Sequence, residues 1–320
     1  MLKIIQNRKI YFIISGILVI ASILSLLIWG LKPAIDFTGG TLMEVEFTKE
    51  RPTITQIKES LTDLEIGDIK VQPTGERGII LRMKDIAEET HQQILVKLEE
   101  LVPKSESEDT EINETTTPAT PTSPTPPTLT EHKFTAIGPV VGQELKKKTT
   151  TAMILVVICI IIYIAIVFRK VSKPVASWKY GLTAIVALVH DVLIIAGIFA
   201  ALGHFFGYEV DVLFVTALLT VLGYSVNDTI VVFDRVRENL FRYQGFDFED
   251  TVNRSVNESV TRSLNTSITT LLVLFSIYLF GGASIKQFIL ALICGAIIGT
   301  YSSIFLASPL LVVWEKAKRK

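Results

Sequence analysis

The sequence predicts an all-α polytopic membrane bundle of six transmembrane helices, with an external α+β domain of ferredoxin-like type inserted between helices 1 and 2. Hydrophobic residues make up 49% of the 320 residues, and the mean hydropathy of +0.46 is too high for an ordinary soluble domain. Six apolar runs are long enough to cross a bilayer. Residues 31–150, by contrast, are rich in charge and contain no such run.

The six predicted spans are 10–29, 152–168, 181–202, 212–232, 264–280 and 288–314. Basic residues cluster at 169–179, 235–262 and 316–320, whereas the connections 203–209 and 281–287 carry one lysine between them. The positive-inside rule therefore predicts that both termini lie in the cytoplasm. The first run lacks a small-residue cleavage pattern, so we expect an uncleaved helix and not a signal peptide.

The segment after the first span has the pattern of a small α+β domain. Met43, Val45 and Phe47 alternate with glutamates, which is the periodicity of a strand. Thr53 and Gln56 have capping-box spacing ahead of an amphipathic helix. The further predicted elements are strands at 66–71 and 78–83, a helix at 86–102 and a strand at 133–137. This order indicates a ferredoxin-like domain.

A segment rich in threonine, proline and glutamate interrupts the external domain at 104–131. This composition cannot bury a core, so we expect a disordered loop. It is either a tolerated surface insertion or a recognition segment for a partner. The predicted organisation is therefore 1–30 for the N-terminus and first helix, 31–150 for the external domain, and 151–320 for the remaining helices and the basic C-terminus.

Two carboxylates lie within predicted spans, Asp191 in the third and Asp228 in the fourth. An intramembrane carboxylate is costly and is typical of ion pathways and proton relays. Together with Tyr224 and Asn227 they form the predicted ion-coupling set, in which Tyr224, Ser225, Asn227 and water could bridge a difference in depth of about 10 Å. The structural alternative is that each carboxylate caps or hydrogen-bonds a neighbouring helix.

Two glycine-containing patterns have simpler interpretations. Gly295, Gly299 and Ser303 recur every four residues, which predicts close helix packing. Asp36, Gly39 and Gly40 directly follow the first span, and the glycines favour a tight turn that leads into the first strand.

Several functional classes are disfavoured by the sequence. No P-loop, dinucleotide fingerprint or Ser-His-Asp pattern stands out, and no Cys/His cluster has metal-ligand spacing. We therefore expect no enzyme activity, no metal and no cofactor, with energy drawn from a proton or sodium gradient. The net charge of −1 argues against nucleic acid as a partner.

A set of motifs gives the sequence a specific resemblance. They are DFTGG at 36–40, IGPVVGQEL at 137–145, ALVHDV at 187–192, GYSVNDTIVVFDRVREN at 223–239, YLFGG at 278–282 and GTYSS at 299–303. Together they resemble the SecF family, half-size relatives of the resistance-nodulation-division exporters. The resemblance covers the chain except for 104–131, and it makes Asp191 the leading candidate for the ion pathway, with Asp228 and Asn227 in the fourth-span signature.

The resemblance implies a multi-pass subunit in the bacterial plasma (inner) membrane. Its expected partners are SecD in a heterodimer, the SecYEG channel, the exported preprotein and the lipid bilayer. The expected role is to use the proton motive force to promote preprotein translocation and release. Two alternatives stay open: a small-molecule or lipid exporter of the same superfamily, and a passive scaffold for the translocon.

Overall fold

A computed structural model of the chain describes residues 1–64, 66–102, 129–167, 176–243 and 247–318. They form two compact units, Met1–Ala34 with Lys147–Lys320, and Ile35–Lys146. Most of the segment predicted to be a disordered loop, 104–128, lies outside the described residues. Its last three residues, predicted as part of that loop, instead begin a strand, because their backbone pairs with the neighbouring strand.

The elements follow one another in a simple order along the chain. They are α1 Arg8–Ile28, α2 Ile35–Thr38, β1 Gly40–Phe47, α3 Ile54–Leu61, β2 Lys70–Thr74, β3 Gly78–Met83, α4 Glu88–Glu100, β4 Leu129–Ile137, α5 Pro139–Val167, α6 Ser177–Phe206, α7 Val212–Arg242, α8 Phe248–Phe280, α9 Ala283–Ser302, a π-turn Ser303–Ala307 and α10 Ser308–Lys318.

Six helices of the described chain are long and apolar enough to cross a membrane, which confirms the predicted number of spans. Several of them extend beyond the predicted apolar runs. Helix α8 begins at Phe248, well before the predicted start at 264, because its first turns are polar and pack against the end of α7. There Arg235 Nε donates to Glu258 at 2.7 Å, and Asn239 Nδ2 donates to Ser255 at 3.0 Å.

Helix α7 is the centre of the first unit and packs against α6, α8, α9 and the π-turn. Glycine residues, which have no side chain, allow the closest approaches between helices. A Cβ atom at Gly295 would lie 2.0 Å from a Val221 methyl group, and one at Gly197 of α6 would lie 2.4 Å from the Cα atom of Ser22 on α1. Close backbone contact of this kind is the usual basis of helix association in membranes.

The second unit contains a four-stranded antiparallel sheet with the order β2-β3-β1-β4. Its core includes Val45 of β1, which pairs with Ile79 of β3, together with Ile57 of α3 and Ile94 of α4. The predicted capping box at the start of α3 is present. Strand β2 starts later than the predicted position 66, because the backbone turns at Gly67, whose φ is +73°.

Strand β4 is tied to helix α4 by a buried histidine. His91 Nδ1 lies 3.0 Å from Glu88 Oε1, its Nε2 lies 3.0 Å from Glu131 Oε1, and its ring stacks on Phe134. Hydrogen bonds from Gln92 and His91 lower the pKa of Glu88 below its usual value. The first residues of β4 are therefore fixed by side chains as well as by the sheet.

The contact between α1 and α6 leads to a stability prediction. Gly197→Ala places a methyl group against the Ser22 backbone, which cannot yield as a flexible side chain can, so we expect a loss of about 1–3 kcal/mol of stability. Gly16→Ala on α1 is the matched control, because no atom lies within 4 Å of its added Cβ. Thermal unfolding of the chain in detergent micelles measures both. Equal stability of the two variants would contradict the close packing of α1 on α6.

Candidate functional site

Asp191 of α6 lies at the centre of a buried polar cluster in the helical unit. Its carboxylate is fully buried, and Oδ2 accepts hydrogen bonds from Ser225 Oγ at 2.6 Å and from Ser302 Oγ at 2.8 Å. His190 Nδ1 lies 2.9 Å from the other oxygen, Oδ1. Donors from helices α6, α7 and α9 thus converge on one carboxylate.

The convergence depends on a close approach of α9 to α7. A Cβ atom at Gly299 would lie 3.0 Å from Cβ of Ser225, so only a residue without a side chain fits there comfortably. Ser302 follows Gly299 by three residues, which places its hydroxyl on nearly the same face of α9. The same face of α9 therefore brings the backbone close to Ser225 and delivers a second donor to Asp191.

Asp228 of α7 forms a second cluster, in which α8 provides the donor. Ser263 Oγ donates to Oδ1 of Asp228 at 2.5 Å, and the guanidinium of Arg262 is near enough to act electrostatically on the carboxylate. Oδ2 of Asp228 is buried without a hydrogen-bond partner in the described part of the chain, although the Ser303 hydroxyl lies near enough to interact with the carboxylate.

Tyr224 and Asn227, the other residues of the predicted ion-coupling set, make no hydrogen bond to either carboxylate in the described part of the chain. The Tyr224 hydroxyl is 2.9 Å from Ser267 Oγ, which in turn is 2.5 Å from Thr300 Oγ1. Asn227 lies on an exposed face of α7 together with Thr220. Of the predicted bridging side chains, Ser225 therefore contacts Asp191 directly.

The predicted packing stripe of α9 faces α7. Gly295 lies against Val221 and Gly299 lies against Ser225. Ser303 is fully buried, and its hydroxyl lies 2.9 Å from Thr229 Oγ1 and 3.3 Å from the carbonyl oxygen of Ser225. It is therefore a hydrogen-bonding residue within the stripe.

The predicted turn residues Asp36, Gly39 and Gly40 lie in the other unit. Asp36 belongs to the single helical turn α2, and the Gly39 amide donates to the Ile35 carbonyl at 2.8 Å. Gly39 and Gly40 have φ values of +77° and +129°, a region that favours glycine. Added Cβ atoms would also meet backbone atoms of Pro139 and Met83 at 2.8 and 2.7 Å.

The sequence pattern did not single out Ser263 and Ser302, which donate hydrogen bonds to the carboxylates, or Arg262, which acts electrostatically on Asp228. A signal for the first was present, since serines recur every four residues along α8 and all are buried. They are Ser255, Ser259, Ser263 and Ser267. Spacing of four places side chains on one helix face, so this row could have been matched to the fourth span.

The arrangement is chemically compatible with either protonation state of each carboxylate. Each carboxylate is held by hydroxyl groups, which can donate to an ionised carboxylate and accept from a protonated one. A charge buried among apolar helices is costly, so neutralisation changes which helix arrangement is favoured. Among the described residues, no group of three His, Cys, Asp or Glu side chains is arranged to hold a metal ion.

Comparison with family models gives two matches. The model described as "Protein export membrane protein SecD/SecF, C-terminal" matches residues 120–317, and the model described as "SecD/SecF GG Motif" matches residues 25–50. The second match contains the Gly39–Gly40 turn.

Full-length relatives and solved structures agree with these matches. The chain is 41% identical to "Protein translocase subunit SecF" of Thermobaculum terrenum, covering 98% of this chain and 94% of the relative. It is 36% identical to the protein of the same name from Anaerolinea thermophila, covering 99% and 96%. The crystal structure of SecDF, a translocon-associated membrane protein from Thermus thermophilus, matches with a TM-score of 0.76 at 27% identity. That match covers 98% of this chain and 38% of the longer SecDF chain.

Proposed function

The chain belongs to the SecF family of protein translocase subunits, which function in Sec protein export, and from this premise we propose that its buried carboxylates couple export to the proton motive force. Asp191 is the proposed primary proton carrier and Asp228 a second one. Tyr224 and Asn227 are proposed to line the same pathway. The proposed setting is the bacterial plasma membrane, with both termini cytoplasmic and the ferredoxin-like domain outside.

The observation that carries this proposal is the fully buried Asp191 with donors from two other helices. One elementary charge that crosses 100 mV releases about 2.3 kcal/mol, enough to change the ratio of two conformations by tens-fold. Protonation of Asp191 would weaken its hold on Ser225 and Ser302. Helices α6, α7 and α9 could then repack, which is the proposed source of movement.

A partner in the membrane is supported by a polar stripe on the exposed face of α7. Its members are Thr216, Thr220, Gly223 and Asn227, which follow at spacings of four and three residues. Polar side chains in contact with lipid are unfavourable, whereas small and polar residues favour contact with another helix. We propose that SecD covers this stripe in a heterodimer. Association with SecYEG and contact with the preprotein are proposed from the family.

The ferredoxin-like assignment of the external domain also belongs to this proposal. Its support is the antiparallel order β2-β3-β1-β4 with helices α3 and α4 between the strands. A domain of this size on the outer side would give the export machine a surface that helix movement could displace.

Asp191→Asn tests the coupling directly. In membrane vesicles that carry the chain with SecD, we expect the gradient-dependent part of preprotein export to fall by about tenfold, because the variant side chain cannot take up a proton. Asp234→Asn is the control, since Asp234 is an exposed carboxylate of α7. Selective collapse of the proton or the sodium gradient identifies the ion. Full gradient dependence in Asp191→Asn vesicles, with assembly intact, would favour a passive scaffold.

The partner surface has its own test. A photoreactive amino acid at Thr220 is expected to cross-link to SecD, because the polar stripe would lie in the interface. The same probe at Ile13 is the control, since Ile13 is exposed on α1, which packs against α6 and the π-turn. Gel mobility of the cross-linked product measures both. Cross-linking from Ile13 but not from Thr220 would place the interface elsewhere.

A further inference from the structure

The last membrane-crossing segment is not a regular helix. Between α9 and α10 it widens into the π-turn Ser303–Ala307. The chemical cause follows directly, because Pro309 has no amide hydrogen for the carbonyl of Phe305, and its ring would clash with that carbonyl in a continuous α-helix. The wider turn relieves this conflict, and π-turns are frequent at functional sites.

Two serines stand at the entrance to the π-turn, and both are fully buried. Ser302 donates to Asp191 at 2.8 Å. Ser303 lies 2.9 Å from Thr229, the residue next to Asp228 on α7. Two consecutive residues therefore contact, respectively, the Asp191 carboxylate on α6 and the residue next to Asp228 on α7.

We propose that the Ser302–Ser303 step transmits the charge state of Asp191 to Asp228. Both serines act as positioning residues. The Ser302 hydroxyl changes position with the charge of Asp191, and Ser303, together with Thr229, then changes the surroundings of the Asp228 carboxylate. The π-turn marks the point at which the backbone hydrogen-bond pattern of this segment departs from that of an α-helix, and we expect this change to let the step move. This inference deepens the proposed function and rests on it.

Among the described residues, few other titratable or charged groups face the two carboxylates. On the Asp191 side, His190 is the titratable neighbour from α6, and its ring stacks on Tyr301 of α9. On the Asp228 side, Arg262 of α8 is the charged neighbour. Ser302 and Ser303 lie between the surroundings of Asp191 and those of Asp228.

The test measures whether one carboxylate responds to the other. In the complex with SecD in lipid, the carbonyl-stretch infrared band of the protonated Asp228 side chain is followed against pH and assigned by its loss in Asp228→Asn. We expect Asp191→Asn to shift the titration midpoint of this band by about threefold to tenfold in proton concentration. A shift of this size is typical of the coupling between residues in one hydrogen-bond network. When Ser303→Ala is combined with Asp191→Asn, the shift in the Asp228 midpoint should fall below half of that seen with Asp191→Asn alone.

Two further variants keep the test decisive. Thr183→Val is the control, because the buried Thr183 hydroxyl bonds only to carbonyls of its own helix, and the full shift should persist. Thr229→Val removes the other hydroxyl of the Ser303 contact at constant volume and replaces Ser303→Ala if that variant does not assemble. An unchanged shift in Ser303→Ala or Thr229→Val would overturn the inference.

Export separates this inference from the proposed function. If Asp191→Asn moves the Asp228 midpoint through Ser303 while export keeps its full gradient dependence, the serine step stands and the proposed function is wrong. If export loses its gradient dependence in Asp191→Asn while the midpoint does not move, the proposed function stands and the serine step is wrong.

Discussion

The hydrogen bonds that hold the Asp191 carboxylate inside the bundle are the interaction on which the rest of the helical unit depends. A carboxylate removed from water among apolar helices is tolerated only when donors surround it. Ser225 and Ser302 provide those donors from two different helices. They reach the same oxygen because Gly299 lets the backbone of α9 approach α7. The glycine spacing and the polar site are therefore two aspects of one contact.

The arrangement of polar groups also separates two kinds of surface on α7. One face carries Ser225, Asp228 and Thr229 toward α6, α8, α9 and the π-turn. The opposite face presents Thr220 and Asn227 to the outside of the unit. A helix that is polar on both faces is suited to the centre of a larger assembly, with one face for its own bundle and one for a partner. This view joins the proposed proton site and the proposed heterodimer through a single helix.

The sequence predicted the six spans and the order of strands and helices well, because hydropathy and alternation report directly on burial. It also identified both intramembrane carboxylates. It could not identify their partners, since the contacts of Ser263 and Ser302 depend on which helices pack together and at what rotation. The π-turn is explained by Pro309, and a hydropathy pattern does not detect the effect of a proline on helix geometry. The start of β4 was predicted wrongly, because composition alone did not reveal the contacts of Glu131 with His91 and of β4 with β1.

In the proposed mechanism, Asp191 carries protons when export occurs. The most direct measurement follows proton movement across proteoliposomes that contain this chain, SecD and the Sec channel, with a pH-sensitive dye trapped inside. We expect proton flux to begin with preprotein movement and to be absent in Asp191→Asn vesicles that still assemble the complex. Equal flux in the wild-type and Asp191→Asn vesicles would contradict the proposed mechanism and would assign the proton path to other residues.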